Sequence, residues 1–85
     1  MHVDTDLLVA CANNDRIAQK KLYEICFAFL MHNCKRYHKN EEDARSVFNN
    51  GFLKILKNLS AVEVETILFA ACAKRIMANT IIDEY

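Results

Sequence analysis

The chain has 85 residues, of which 53% are hydrophobic, and eleven Lys and Arg balance eleven Asp and Glu. That length allows one modest core and a single domain, 1–85, and excludes a deep cleft between two lobes. Zero formal net charge excludes a protein that coats nucleic acid by charge alone, because such affinity needs a clustered excess of Lys and Arg. One glycine and no proline leave almost no turn or breaker residues, so helices joined by short links are expected and the fold class reads as all-α. No apolar run approaches the roughly 20 residues of a membrane span, and "MHVDTDLL" lacks the basic flank and apolar stretch of a signal peptide. A cytoplasmic location without membrane contact is the expectation.

In chain order, Asp4 or Thr5 caps a short first helix, "DLLVACANN", whose Leu7, Leu8 and Cys11 give one apolar stripe; Asn13-Asn14 ends it. Asp15 then caps a long second helix. Its core stripe is Ala18, Leu22, Ile25, Cys26, Phe29, Leu30 and Cys34, recurring at three- and four-residue steps out to about His38. Asn40 caps a third, with Glu41, Glu42 and Asp43 in the first turn, where the helix dipole favours carboxylates. Ala44, Val47, Phe48, Gly51, Phe52, Ile55 and Leu59 mark its buried side. Gly51 costs that helix about 1 kcal/mol relative to Ala, which close approach of a neighbouring backbone would offset.

For the last helix two starts are open, a capping box at Ser60 to Glu63 and a later one at Thr66. Leu68, Cys72, Ile76 and Asn79 form its expected stripe, with Ile67, Ala71 and Ile82 beside it. "KRIMANTIIDEY" carries no closing Gly or Pro, so the chain is expected to stop within a helix and to be a piece of a longer protein.

Cys11, Cys26, Cys34 and Cys72 sit among apolar residues with no secretion signal, which points to reduced, buried thiols. In "HNCKRYH", Cys34 and His38 share a face at i, i+4, but His32 does not and no CxxC adds a second pair, so no zinc site is expected. No Gly-rich phosphate loop and no GxSxG occur, and Glu41, Glu42 and Asp43 fan around their helix, so the chain reads as no enzyme and as needing no cofactor. Basic residues gather in three places: Lys35, Arg36 and Lys39; Lys54 and Lys57; Lys74 and Arg75.

The stretch "NNDRIAQKKLYEICFAFLMHNCKRYHKNEEDARSVFNNGFLKILKNL" followed by "KRIMANTIID" resembles region 2 of the extracytoplasmic-function (ECF) branch of bacterial sigma-70 factors. The family's polar turn is met by Asn14-Asp15, and its "A…LY" by Ala18, Leu22 and Tyr23. Cys34, Arg36, Tyr37, Asn40, Glu42, Asp43 and Ala44 stand where it has an "R-Y" and an acidic turn. Asn49, Asn50, Phe52 and Lys54 stand for its "Q-E-x-F-x-K", and Arg75, Ile76, Asn79 and Asp83 for its "R-I-x-x-N-x-x-x-D". The likeness covers practically the whole chain.

This resemblance implies a compact bundle of about four helices, the first one short. It implies docking on the clamp helices of the largest subunit of the RNA polymerase core, with Ser46, Asn49, Asn50 and Leu53 as contacts. It further implies recognition and melting of the promoter −10 element. A flipped non-template base would be captured by the last helix and the loop before it, through Lys74, Arg75, Asn79, Thr80, Asp83 and Val62. An anti-sigma factor is a further possible partner; no small-molecule substrate is implied. Without the family pattern the favoured reading of Asn79 is a hydrogen-bonded core amide, and Lys74 and Arg75 read as solvated. The family's usual Trp is Cys72 here, the aromatic near Val62 is absent, and its acidic residue at Ser46 and Gln-Glu pair at Asn49-Asn50 are replaced by shorter, neutral side chains. These departures keep an alternative open: a degenerate sigma-like bundle that serves as a protein-interaction or regulatory module without promoter melting.

Overall fold

The computed structural model describes residues 3–61 and 66–85, the side chains of 60–61 and 66–68 excepted. Its elements are four helices, α1 (Thr5–Ala12), α2 (Arg16–Tyr37), α3 (Glu41–Ala61) and α4 (Thr66–Asp83). The all-α four-helix bundle expected from the sequence is the fold observed.

Local chemistry sets the boundaries. Asp4 occupies the N-cap position of α1. Asn14 takes φ 65°, a left-handed conformation that Asn tolerates, and turns the chain between α1 and α2. The Asp15 carboxylate accepts from the Ile17 and Ala18 amides at 3.0 and 3.1 Å, while Gln19 Nε2 donates to the Cys11 carbonyl at 3.1 Å and ties α1 to α2. Asn40 Oδ1 accepts from the Glu42 and Asp43 amides at 2.8 and 3.3 Å, opening α3. Ser60 and Ala61 are the final residues of α3, so Ser60 does not cap the last helix; the later start, at Thr66, is the one observed.

α2 and α3 run antiparallel and are joined by a zip of rings. Tyr23 lies edge-on to Phe48 and Phe52, with centroids 5.2 and 5.1 Å apart, and Phe27 lies edge-on to Phe48 at 5.3 Å. Such pairs contribute about 0.5–1.5 kcal/mol each beyond the area they bury. Every residue expected on the inner side of α3 is buried. On α2 the reading needs correction: Phe29 is 49% exposed and Ile25 half-buried, whereas Met31 is buried and Phe27 packs against the core. α2 touches all three other helices, so its buried surface is broader than one stripe.

α4 is rotated from its expected phase. Phe69, Ala73, Met77, Thr80 and Ile81 face the core, while Cys72 and Ile76 are half-buried and Ala71, Asn79 and Ile82 are exposed. A one-residue shift along the same spacing turns a helix by about 100°. "ILFAACAKRIMANTII" offers apolar residues on both faces, so periodicity alone does not choose between them. In the observed phase Gly51 of α3 meets the Met77 side chain, not the neighbouring backbone that the sequence suggested. A Cβ there would stand 2.6 Å from Met77 Sδ and 2.9 Å from Met77 Cε, so the missing side chain is the notch that Met77 fills.

A Cβ at 51 displaces only the flexible end of Met77, so Gly51→Ala is expected to change the unfolding free energy by less than about 1 kcal/mol in urea, the helix-propensity gain being offset by the shift of Met77. In a Met77→Ala background the same change should stabilise by about 1 kcal/mol, since the notch is then empty and only the propensity term is left.

Candidate nucleic-acid interface

α4 lies between α3 and α2, antiparallel to the first and parallel to the second, so one groove runs along each of its sides. The α3 side is an open groove of about 540 Å³, lined by Lys54, Lys57 and Asn58 from α3 and by Ile76, Asn79, Thr80 and Asp83 from α4. Helical spacing explains the set. Lys54, Lys57 and Asn58 stand at i, i+3 and i+4 on the polar side of α3, and Ile76, Asn79 and Asp83 follow the same rule on α4.

Asn79 is exposed, so the core-amide reading of this residue is ruled out and its amide faces solvent at the groove. Arg75 is exposed one turn before Asn79, on the same stripe. Lys74 is also exposed, but five residues from Asn79 place it about 140° away around the helix, so the two cations at 74 and 75 serve different surfaces. Thr80 is corrected outright as a contact residue. It is wholly buried, and its hydroxyl donates to the Ile76 carbonyl at 2.8 Å. Val62 lies outside the described residues.

Lys54 and Lys57 were noted in the sequence as a cluster and not assigned to this site. Neither has an ion-pair partner among the described residues. Two cations, two side-chain amides and one carboxylate around an apolar strip at Ile76 can hold a backbone phosphate and present donors and acceptors to a base edge. Asp83 opposes phosphate at one end, which places the anion-binding part of the groove at the two lysines.

The four residues assigned to polymerase contact share one exposed ridge of α3: Ser46, Asn49, Asn50 and Leu53, the last 57% exposed. Both asparagines are engaged within the chain. Tyr23 Oη donates to Asn49 Oδ1 at 2.6 Å, and Asn50 Nδ2 donates to Glu84 Oε1 at 3.0 Å.

Thiol and metal chemistry can be placed as well. Cys11, Cys26 and Cys34 are buried free thiols, and Cys72 is half-buried. Burial pushes Cys26 up to about 12 and raises Cys11 and Cys34, the direction opposite to that of an activated nucleophile. Among the described residues no group of three His, Cys, Asp or Glu could hold a metal ion, and no helix is long and apolar enough to cross a membrane.

The placements of Asn79 and Thr80 separate their substitutions. Asn79→Ala should change the unfolding free energy by less than about 0.5 kcal/mol, as exposed positions do. Thr80→Ala should cost about 1–2 kcal/mol through lost packing and a lost hydrogen bond; chemical denaturation of both variants measures the difference. No family model, no curated protein and no solved structure matches this chain, so the reading of the groove rests on its own residues.

Proposed function

We propose that the chain is a region 2-like module of an ECF-type sigma factor: it docks on the clamp helices of the RNA polymerase core through the α3 ridge and holds the opened non-template strand of the −10 element in the α3–α4 groove. The observation that carries this reading is the exposed Asn79 facing Lys54 and Lys57 across an open groove. A flipped base needs edge hydrogen bonds, and its flanking phosphates need cations a few ångströms away. Arg75, on the Asn79 stripe, extends the basic track along α4. Zero net charge agrees with a module whose duplex affinity alone is weak and which acts on a strand already opening.

One observation favours the second reading, a protein-interaction or regulatory module without promoter melting. Asn49 and Asn50 spend hydrogen bonds on Tyr23 and Glu84, and as neutral amides they offer little to basic side chains of a clamp.

Fluorescence anisotropy with a labelled single-stranded oligonucleotide and its duplex tests the groove. Single strand is expected to bind more tightly than duplex. Lys54→Glu with Lys57→Glu should weaken binding about tenfold or more and reduce the salt slope by roughly one to two, whereas Asn79→Ala should weaken binding and leave the slope unchanged. Equal affinity of the double variant and the parent would remove the groove from nucleic-acid binding.

The ridge is tested by titrating the isolated clamp-helix fragment of RNA polymerase. Binding by the parent, strengthened about tenfold by Asn49→Asp with Asn50→Glu, supports polymerase docking. Binding only after the charges are introduced supports the second reading.

A further inference from the structure

The groove on the other side of α4 has a different character. It is lined by Asn33, Arg36 and Tyr37 of α2 and by Ala78, Ile81 and Ile82 of α4, with a volume of about 250 Å³. Because α2 and α4 run parallel here, stepping back one turn on each extends the same strip to Phe29 and Lys74. At its far end the Tyr85 ring stands edge-on to Tyr37, with centroids 6.0 Å apart.

Two properties set this strip apart. First, it leaves large apolar side chains in water: Phe29 is 49% exposed, Tyr37 53%, Ile82 72% and Tyr85 82%. Isolated exposed apolar residues are ordinary, but four along one groove form a patch of the kind that marks an interaction surface. Second, its charge has one sign. No Asp or Glu occurs from Ile25 to Lys39 or from Thr66 to Ile82. Of the nearby carboxylates, Asp83 lines the α3–α4 groove, and Glu84 accepts from Asn50 while lying close enough to α2 to add to the rise that burial gives the Cys34 thiol. Arg36 and Lys74 thus flank the apolar strip with no ion-pair partner among the described residues.

The dipole of α2 accounts for a cation at Arg36, in its last turn, but not for Lys74 in the middle of α4, nor for the exposed rings and Ile82. A nucleic acid would supply phosphates for the two cations and bases for the rings, but only sugar edges and thymine methyls for Ala78 and Ile82, which an aliphatic stripe covers more fully. A third helix laid between two parallel helices covers such a strip with its own apolar stripe, and acids on the flanks of that stripe meet the cations.

We infer that the α2–α4 groove is a docking surface for an acidic amphipathic helix of a partner protein, received between Arg36 and Lys74 over Tyr37, Ala78 and Ile82. This surface is separate from the α3–α4 groove, and the inference does not rest on what that groove binds.

The test uses a labelled peptide of about four helical turns, with Leu at i, i+3, i+4 and i+7 and Glu on both flanks of that stripe, and a second peptide with Lys in place of Glu. The Glu peptide should saturate and the Lys peptide should bind about tenfold more weakly or worse. Arg36→Glu with Lys74→Glu should reverse that preference, and Ile82→Asp should weaken both peptides about tenfold. All three positions are exposed, so unchanged circular dichroism melts confirm that the variants fold.

Three results would overturn the inference. One is equal binding of the two peptides, or none. Another is a single-stranded oligonucleotide that displaces the Glu peptide and itself loses affinity in the Arg36→Glu, Lys74→Glu variant, which would make this face a nucleic-acid surface. The third is a dimer in sedimentation equilibrium that Ile82→Asp abolishes, which would make a second copy of this chain the occupant.

Discussion

The rotation of α4 about its own axis is held by the burial of Phe69, Ala73, Met77, Thr80 and Ile81 against the core, with Met77 in the space that Gly51 of α3 leaves. A Cβ at 51 would displace the Met77 sulfur, and no other described glycine exists to offer a second notch. Every outward-facing feature of α4 then follows from helical geometry: Asn79 and Asp83 toward α3, Ala78 and Ile82 toward α2, and Arg75 on the stripe that carries Asn79. Gly51 is unfavourable in its own helix, and the space it leaves is the one that Met77 fills.

The ring cluster plays the corresponding part between α2 and α3. Tyr23 packs on Phe48 and Phe52 while its hydroxyl reaches Asn49 at the rim, so one side chain both fills the core edge and restrains a residue of the exposed ridge. Glu84 does the same for Asn50 from the end of α4. The ridge is therefore held on both flanks by groups from other helices, and a partner that recruits either amide must first replace an existing hydrogen bond. Each of those bonds is exposed and contributes on the order of 1 kcal/mol or less, so the restraint orients the amides without locking them.

Placing α4 between α3 and α2 gives the molecule two grooves of different chemistry. The α3 side combines lysines, amides and a carboxylate and suits a strand with phosphates and base edges. The α2 side combines aliphatic and aromatic surface with two cations that have no ion-pair partner among the described residues, and suits an acidic helix. Their separation comes from the angle between Lys74 and Arg75: adjacent in sequence, they point to different sides of one helix.

The sequence by itself determined the helices, the caps of α2 and α3 and the inner faces of α1 and α3. Asp15 and Asn40 are cap residues next to apolar periodicities of the helical period, and such signals are local. The resemblance alone singled out Asn79, Arg75 and the α3 ridge as contacts, and these residues are exposed. Only the tertiary structure decided which face of α4 is buried, because that helix is apolar on two sides and its phase is set by packing against distant residues, such as Met77 beside Gly51, 26 positions earlier. That phase buries Thr80, places Asn79 in one groove with Lys54 and Lys57, and turns Lys74 away from them. None of these is written in local pattern, since each depends on the phase of one helix against its neighbours.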